Sequence, residues 1–563
     1  MTSHARPSPL SILMLILVSL AVFLSTDNFV DDKITAKWYA VITLSYVICI
    51  LLLFFSEHLV IIDKTFILIL ILISYCTIHS ILSGTPTLDI SISLSLVLLY
   101  LIFQTQRAES NLLNFFFICI AFCQAIYALL QYTLILPTDH TFRILGSYGN
   151  PAGLATSLIC TFPLVFTFAK KYKILTLLFS LVIFITIVLS ESRAGLLSIS
   201  IVSSIYVFNN LPKKIYPYKN YIFVGTTIIS VVVCMYLFYL KQNSAIGRTL
   251  MWNVTSTMIA DDIAFGNGAY AFQKNYMLYQ ADYFGRNPES KYALLASNMM
   301  SPFNEYLLFL VKYGLLGFSL FVGIIYNIKR NNDWSSPYFL SLIAIGIFSF
   351  FSYPFQYPIT WITMIYSIVQ LSENEKIVLR LSKNWSRLIL LSISTLSIYF
   401  LIKDIKFEYN WNKTAKSALA GETKGIYRKY SDLYQQWNGN HLFLYNYAAE
   451  LNHLGDFNKS IEILNQTLNY WNDYDIQILL ADNYIKLEKW HRAESHLKMA
   501  ANMCPNRFLP LFYLHKVYVN TNCPKALDVA KKILKKEVKI PSSTIFSIQT
   551  EMKKYLNTTK SSK

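Results

Sequence analysis

Residues 38–55 read WYAVITLSYVICILLLFF, eighteen residues without a charge. A helix needs about 20 predominantly apolar residues to cross the hydrocarbon of a bilayer. Similar text recurs as SILMLILVSLAVFLS at 11–25, ILTLLFSLVIFITIVLS at 174–190 and YIFVGTTIISVVVCMYLFYL at 221–240. Up to residue 402 there are about thirteen such runs on that criterion, the shortest near 89–104 and 358–372. The first run follows a short N-region, but no small-residue cleavage site is clear and further spans follow. It therefore reads as a retained helix rather than a signal peptide. Composition agrees: the 563 residues are 54% hydrophobic and 14% charged, against about 25% charged in soluble domains. The fold class expected is all-α: a polytopic membrane helix bundle of about 12–13 spans, followed by a soluble α-helical repeat domain.

Lys and Arg set the expected orientation. With the N-terminus cytoplasmic, the inner connections hold Arg6, Lys64, Arg107, Lys170, Lys171, Lys173, Lys213, Lys214, Lys219, Lys329 and Arg330, and the last adds Lys376, Arg380, Lys383 and Arg387. The short outer connections hold Lys33, Lys37, Arg143 and Arg193. This is the positive-inside pattern, so the net charge of +17 is largely topological and nucleic acid is not expected as a partner. Two regions then face outward: the long segment 241–304 within a membrane domain of residues 1–402, and a domain of residues 403–563. Cys49, Cys76, Cys119, Cys123, Cys160 and Cys234 lie in spans and read as small packing residues. Cys504 and Cys523 are expected to flank one helix, which separates them by about 20 Å, too far for a disulfide.

Past residue 402 the text becomes polar, aromatic-rich and helical. Ser460, Ala493 and Ala526 fall at successive offsets of 33, as do Ala448 and Ala481, and as do Leu451, Tyr484 and Val517. Small residues at fixed points let paired helices approach. With Leu454-Gly455-Asp456-Phe457 and Cys504-Pro505, the spacing resembles tetratricopeptide repeats, whose period is 34. Such arrays bind partners on a concave face, and a helical spacer is the plainer alternative. No metal or nucleotide motif is present there.

Four polar clusters lie in the outward half of the membrane domain. In the first, Phe142-Arg143 precedes Gly146-Ser-Tyr-Gly149-Asn150-Pro151. Asn150 suits an N-cap and Pro151 a first turn, which leaves Arg143 unaccounted for. The second is Glu191-Ser192-Arg193 in a very short connection. Arg193 there is either an interfacial anchor or a bidentate phosphate ligand. The third holds Arg248 and Trp252, then Asp261-Asp262 and Gly266-Asn-Gly268. Adjacent acids with no His nearby read as a solvated turn rather than a metal site. The Gly-x-Gly lacks the preceding strand and the Lys of a nucleotide loop.

The fourth cluster opens residues 301–318, SPFNEYLLFLVKYGLLGF. Ser301 is expected to cap the helix with Pro302 at its first position. That would place Glu305 near the first turn, where the helix dipole favours a negative charge. Gly314 and Gly317 are expected as close-packing points between spans.

These clusters, in this order on a many-span chain, resemble the O-antigen ligase/polymerase family of bacterial envelope biogenesis. Ligases of the family carry His, then Asn, Ser or Gln, then nine residues and Gly-x-x-Gly. Asn304, Gly314 and Gly317 keep that spacing, with Phe303 where the His would stand. The resemblance implies a bacterial inner-membrane enzyme, N-terminus cytoplasmic and C-terminal domain periplasmic. It would transfer a glycan from an undecaprenyl-diphosphate carrier to a lipid, glycan or protein acceptor, without cofactor or metal. It further implies that Arg193 and Arg248, with Arg143 as a third candidate, hold the donor diphosphate and stabilise the charge developing on it. Asn304 and Glu305 are the acceptor-side candidates. Phe303 cannot orient or deprotonate a hydroxyl, and two helical steps would turn Glu305 well away from it. Polymerisation of lipid-linked units and protein O-oligosaccharyl transfer remain alternatives within the class. A non-catalytic assembly scaffold or a transporter is the alternative outside it, although the spans carry almost no acids at mid-depth, where coupled transporters need them.

Overall fold

The computed structural model describes residues 9–55, 61–84, 87–138, 142–211, 216–218, scattered positions within 220–239, then 242–330, 332–373, 375, 377–422, 425–437 and 439–561. The chain forms two compact units. One comprises Met1–Leu240, Phe303–Tyr306 and Leu316–Lys413; the other comprises Lys241–Pro302, Leu307–Leu315 and Thr414–Lys563.

The first unit is a bundle of apolar helices. Among the described residues, six are long and apolar enough to cross a membrane: Thr35–Leu52, Lys64–Leu82, Arg107–Tyr132, Pro151–Phe168, Glu305–Arg330 and Lys383–Leu419. Six more are apolar but shorter: Pro9–Phe23, Ile90–Thr105, Lys173–Leu189, Arg193–Asn209, Pro337–Ser349 and Pro358–Leu371. The span expected at 221–240 lies largely outside the described positions. The helix Lys173–Leu189 shows why the bundle needs lipid around it. Its Ile174, Leu177, Leu181, Phe184 and Val188 recur at helical spacing and are all exposed. A continuous apolar stripe of this kind is not left facing water. By contrast, Pro358–Leu371 is buried along nearly its whole length and forms the centre of the bundle.

Helix ends of this unit gather at two poles. At one, Asp63 caps the helix Lys64–Leu82 and accepts from the Tyr100 hydroxyl and from Gln104 Nε2, both at 2.9 Å. Arg107 donates to Val369 O and Ser372 Oγ. Glu375 binds Thr65 and Asn327. The strands β1 (Ile61–Asp63) and β2 (Ile377–Arg380) pair antiparallel here, Ile61 opposite Arg380. The opposite pole collects the starts of the helices at Thr35, Pro151, Glu305 and Pro358.

The second unit joins the segment Lys241–Pro302 to the C-terminal helices. Gln242–Asp261 and Ala271–Arg286 belong to the former. The latter run as paired helices: His441–His453 with Phe457–Thr467, Tyr474–Lys486 with Trp490–Met503, and Leu509–Asn520 with Lys525–Lys535. Ser460, Ala493 and Ala526 are buried, and Ser460 Oγ bonds Ala448 O at 2.8 Å, so the residues spaced by 33 sit where paired helices meet. Ala271–Arg286 packs on Trp490–Met503, burying Phe272 and Tyr276, whose rings stack at 4.6 Å.

Candidate functional site

The pole that collects the helix starts at Thr35, Pro151, Glu305 and Pro358 is organised by a break in the chain. Between Pro337–Ser349 and Pro358–Leu371 the sequence reads Tyr353-Pro354-Phe355-Gln356-Tyr357. Pro354 and Pro358 each lack a donor and fix φ, so the helix cannot run through. Non-helical backbone at membrane depth is tolerated only where protein or water satisfies its polar groups. Here side chains do so: Thr360 Oγ1 donates to Pro354 O at 2.7 Å, Trp361 Nε1 to Phe355 O at 2.9 Å and Trp38 Nε1 to Gln356 O at 3.0 Å. The Phe355 N–H donates to Glu305 Oε1 at 3.4 Å.

This break joins two of the four clusters. Tyr357 donates its hydroxyl to Asn150 Oδ1 at 3.1 Å, and its ring meets Tyr148 edge-on at 5.2 Å. Asn150 Oδ1 also accepts from Gly153 N at 2.8 Å, so Asn150 and Pro151 start their helix as the sequence indicated. Tyr353 meets Phe303 edge-on at 5.2 Å. Lys37, read in the sequence as an outer-loop charge, is wholly buried. Its ammonium donates to Leu24 O, Lys33 O and Ser147 O at 2.7, 2.8 and 3.1 Å. Three carbonyls match its three donors, and the loop before Asn150 is thereby tied to the helix at Thr35. Sequence reasoning missed both the Tyr353–Tyr357 hub and Lys37. The aromatic run bracketed by two prolines was the available signal.

The helix at 305 differs from expectation. It starts at Glu305, not Pro302, and Asn304 rather than Ser301 serves its first turn, accepting from Tyr306 N at 3.0 Å. Phe303 has φ +51, a left-handed conformation in which a bulky residue is an outlier, whereas His and Asn are enriched there. Phe303 therefore lies outside the helix, and the helical angle that would turn Glu305 away from it does not apply. Asn304 is buried, and Glu305 is half-buried.

Gly314 is also not a plain contact point between spans. It breaks the helix Glu305–Arg330 with φ +60. Gly266 and Gly268, with φ +77 and +93, lie against that break. Asn267 N donates to Val311 O at 2.8 Å and Gly268 N to Lys312 O at 3.1 Å, while Leu315 N donates to Ile263 O at 2.9 Å. The Gly-x-Gly thus satisfies carbonyls that the broken helix leaves open. A Cβ on Gly314 would lie 2.4 Å from Ala264 O, which explains the glycine without any ligand. Of the adjacent acids, Asp262 Oδ1 accepts from Phe265 N, and Asp261 from the Tyr279 hydroxyl.

The arginines are placed separately. Arg193 is the first residue of its helix and half-buried, with Ser192 as the cap on Gly195 N. Since the helix at Pro151 leaves this pole and Lys173–Leu189 returns, chain direction brings Arg193 to the same pole. Arg143 is exposed in the loop before Asn150. Arg248 lies in the second unit on Gln242–Asp261, one turn before Trp252, whose indole donates to Pro302 O at 3.1 Å.

A search of curated proteins finds no match. Residues 178–322 match the family model described as O-Antigen ligase. That interval takes in Arg193, Arg248, the Gly-x-Gly and Phe303–Gly317, and leaves out the Asn150-Pro151 run. Three of the four clusters lie inside the match, so this stretch of the membrane protein is similar to the O-antigen ligase family, a likeness that supports glycan transfer in general.

Proposed function

We propose that the protein transfers a glycan from an undecaprenyl-diphosphate carrier to an acceptor hydroxyl at the periplasmic face of the bacterial inner membrane. The observation that carries this reading is the shared pole. The helix start bearing Asn304 and Glu305 and the helix start bearing Asn150 meet on one proline-bounded hub, inside or beside the ligase match. The pole with Lys64, Arg107, Lys329 and Arg330 is the cytoplasmic one on the positive-inside rule, which directs the hub to the periplasm together with the outward segment and the C-terminal helices. Those helices form a tetratricopeptide-like array.

In this reading the acceptor hydroxyl attacks the anomeric carbon and its proton passes to the Glu305 carboxylate, near Phe303 in sequence and held by Phe355 N–H. Asn304 keeps the first turn in register. The bond from the anomeric carbon to phosphate oxygen breaks and undecaprenyl diphosphate departs. Arg193 stands at a helix N-terminus, where the dipole favours an anion rather than a cation, so its guanidinium is suited to the diphosphate. Arg248 and Arg143 are further donor ligands. No step calls for a metal or cofactor.

The test is glycan analysis in a deletion strain rescued with Arg193→Ala or Arg248→Ala. Both should accumulate yet fail to transfer, and normal transfer by both would overturn the reading. In the deletion itself, loss of long chains on lipid indicates a ligase, single-unit products a polymerase, and unglycosylated protein a protein transferase. Unchanged glycans with failed envelope assembly indicate a scaffold.

A further inference from the structure

Within the second unit, the C-terminal helices hold a short piece of the outward segment. Asn506, in the turn between Trp490–Met503 and Leu509–Asn520, donates its Nδ2 to Leu294 O at 3.0 Å and to Ala296 O at 2.6 Å. Gln280 Nε2 bridges Ser297 O at 3.2 Å and Met503 O at 2.6 Å. Asn298 Nδ2 donates to Asp473 Oδ2 at 2.7 Å and Asp475 Oδ2 at 3.0 Å. Residues 294–298 are thus gripped at nearly every position, and Ala296 is fully buried. Four residues further on, Trp252 holds Pro302 O, and the next three residues are Phe303, Asn304 and Glu305.

This grip is stronger than a spacer needs. A non-helical segment costs about 1–2 kcal/mol of backbone entropy per residue to order. Here that cost is offset by amide and carboxylate hydrogen bonds from a separate stretch of chain.

We infer that the C-terminal array is a brace for the transfer site: Asn506, Asp473 and Asp475 are positioning residues that clamp Leu294–Asn298 and so fix the backbone leading into Phe303–Glu305. The inference rests on the transfer reading above.

The test uses the full-length protein. Asn506→Asp keeps the size of the side chain but loses both N–H donors, and Asn506→Gln keeps the donors on a longer arm. Arg286→Ala, which breaks an exposed ion pair on Ala271–Arg286, is the control. Hydrogen exchange in detergent reports the segment, and surface glycan per accumulated protein in the rescued deletion strain reports transfer. In Asn506→Asp, exchange across 294–302 should rise about tenfold and transfer should fall at least about fivefold, with Asn506→Gln recovering part of both and Arg286→Ala changing neither. If Arg193→Ala abolishes transfer while Asn506→Asp loosens the segment and transfers normally, the brace is overturned and the transfer reading stands. Unchanged exchange in both Asn506→Asp and Asp473→Asn also overturns the brace. If Arg193→Ala and Arg248→Ala transfer normally, the transfer reading fails first and the brace with it.

Discussion

Glu305 accepts the main-chain N–H of Phe355 at 3.4 Å, so a carboxylate at one helix start supports the backbone break that precedes the central helix of the bundle. That single contact separates two roles. As a proton acceptor Glu305 needs its charge; as a support for Phe355 it needs only an oxygen. Glu305→Gln keeps the oxygen and should accumulate normally, while transfer falls at least about 100-fold, the lower range of general base catalysis. Normal transfer by Glu305→Gln would reduce the residue to a structural support. Glu305→Ala leaves Phe355 N–H without this partner and should also lose stability, by about 1–3 kcal/mol.

Phe303 offers a complementary test. Its φ of +51 suits His better than Phe, and the family pattern has His there. Phe303→His placed on Glu305→Gln should restore transfer by about tenfold or more, a barrier lower by about 1.4 kcal/mol. Failure to restore it, with normal accumulation, would show that position 303 does not reach the acceptor.

The bundle was legible because membrane spans are written in long apolar runs, and Asn150-Pro151 was legible because an N-cap followed by proline is a local signal. The start of the helix at 305 was not. Ser301-Pro302 offered an equally good local start, and the choice fell to Asn304 with Phe303 in a left-handed conformation. The hub at Tyr353–Tyr357 and the burial of Lys37 were illegible for another reason. Both depend on partners more than a hundred residues away, such as Asn150 for Tyr357 and Ser147 for Lys37. The two prolines around the aromatic run signal the break itself, but local pattern does not name these distant partners.

Gly314 and Gly323 of one helix, and Gly266 lying against its break, should respond very differently to alanine. At Gly314 the new Cβ meets Ala264 O at 2.4 Å with φ +60, and at Gly266 it meets Gly314 N at 2.6 Å with φ +77. Gly323, in the same helix as Gly314, has nothing within 4 Å. Gly314→Ala and Gly266→Ala should each cost upwards of about 2 kcal/mol through overpacking and backbone strain, lowering the melting temperature in detergent and the yield in membranes. Gly323→Ala should match the parent or exceed it slightly, by the helix propensity of alanine. Equal behaviour of Gly314→Ala and Gly323→Ala would refute the crossing at Gly266.

Lys37 should prove structural. Removing its ammonium in Lys37→Met leaves three carbonyls without a charged donor at a cost of about 2–4 kcal/mol. The expected result is poor accumulation, with residual transfer in proportion to the protein that remains. Full accumulation with lost transfer would instead make Lys37 a ligand of the donor.

Two buried ionisable groups of the second unit give opposite pH slopes. Burial raises Asp473 to about 6, with Asn298 and Ile476 N–H as partial counterweights. Burial among Tyr270 and Trp471 lowers His441 to about 4. For Asp473 the folded state binds the extra proton, so the stability it contributes is full below about 4 and is lost as pH rises through 6. For His441 the unfolded state binds the extra proton, so its contribution is present above 6.5 and is lost as pH falls through 4. In wild type the two partly cancel between pH 4 and 6. Asp473→Asn should leave a melting temperature that climbs with pH across this window, and His441→Gln one that declines. Melting of the full-length protein in detergent, followed by tryptophan fluorescence at half-unit pH steps, measures both. Parallel slopes in the two variants would mean that at least one of these groups is not buried in the folded protein as described.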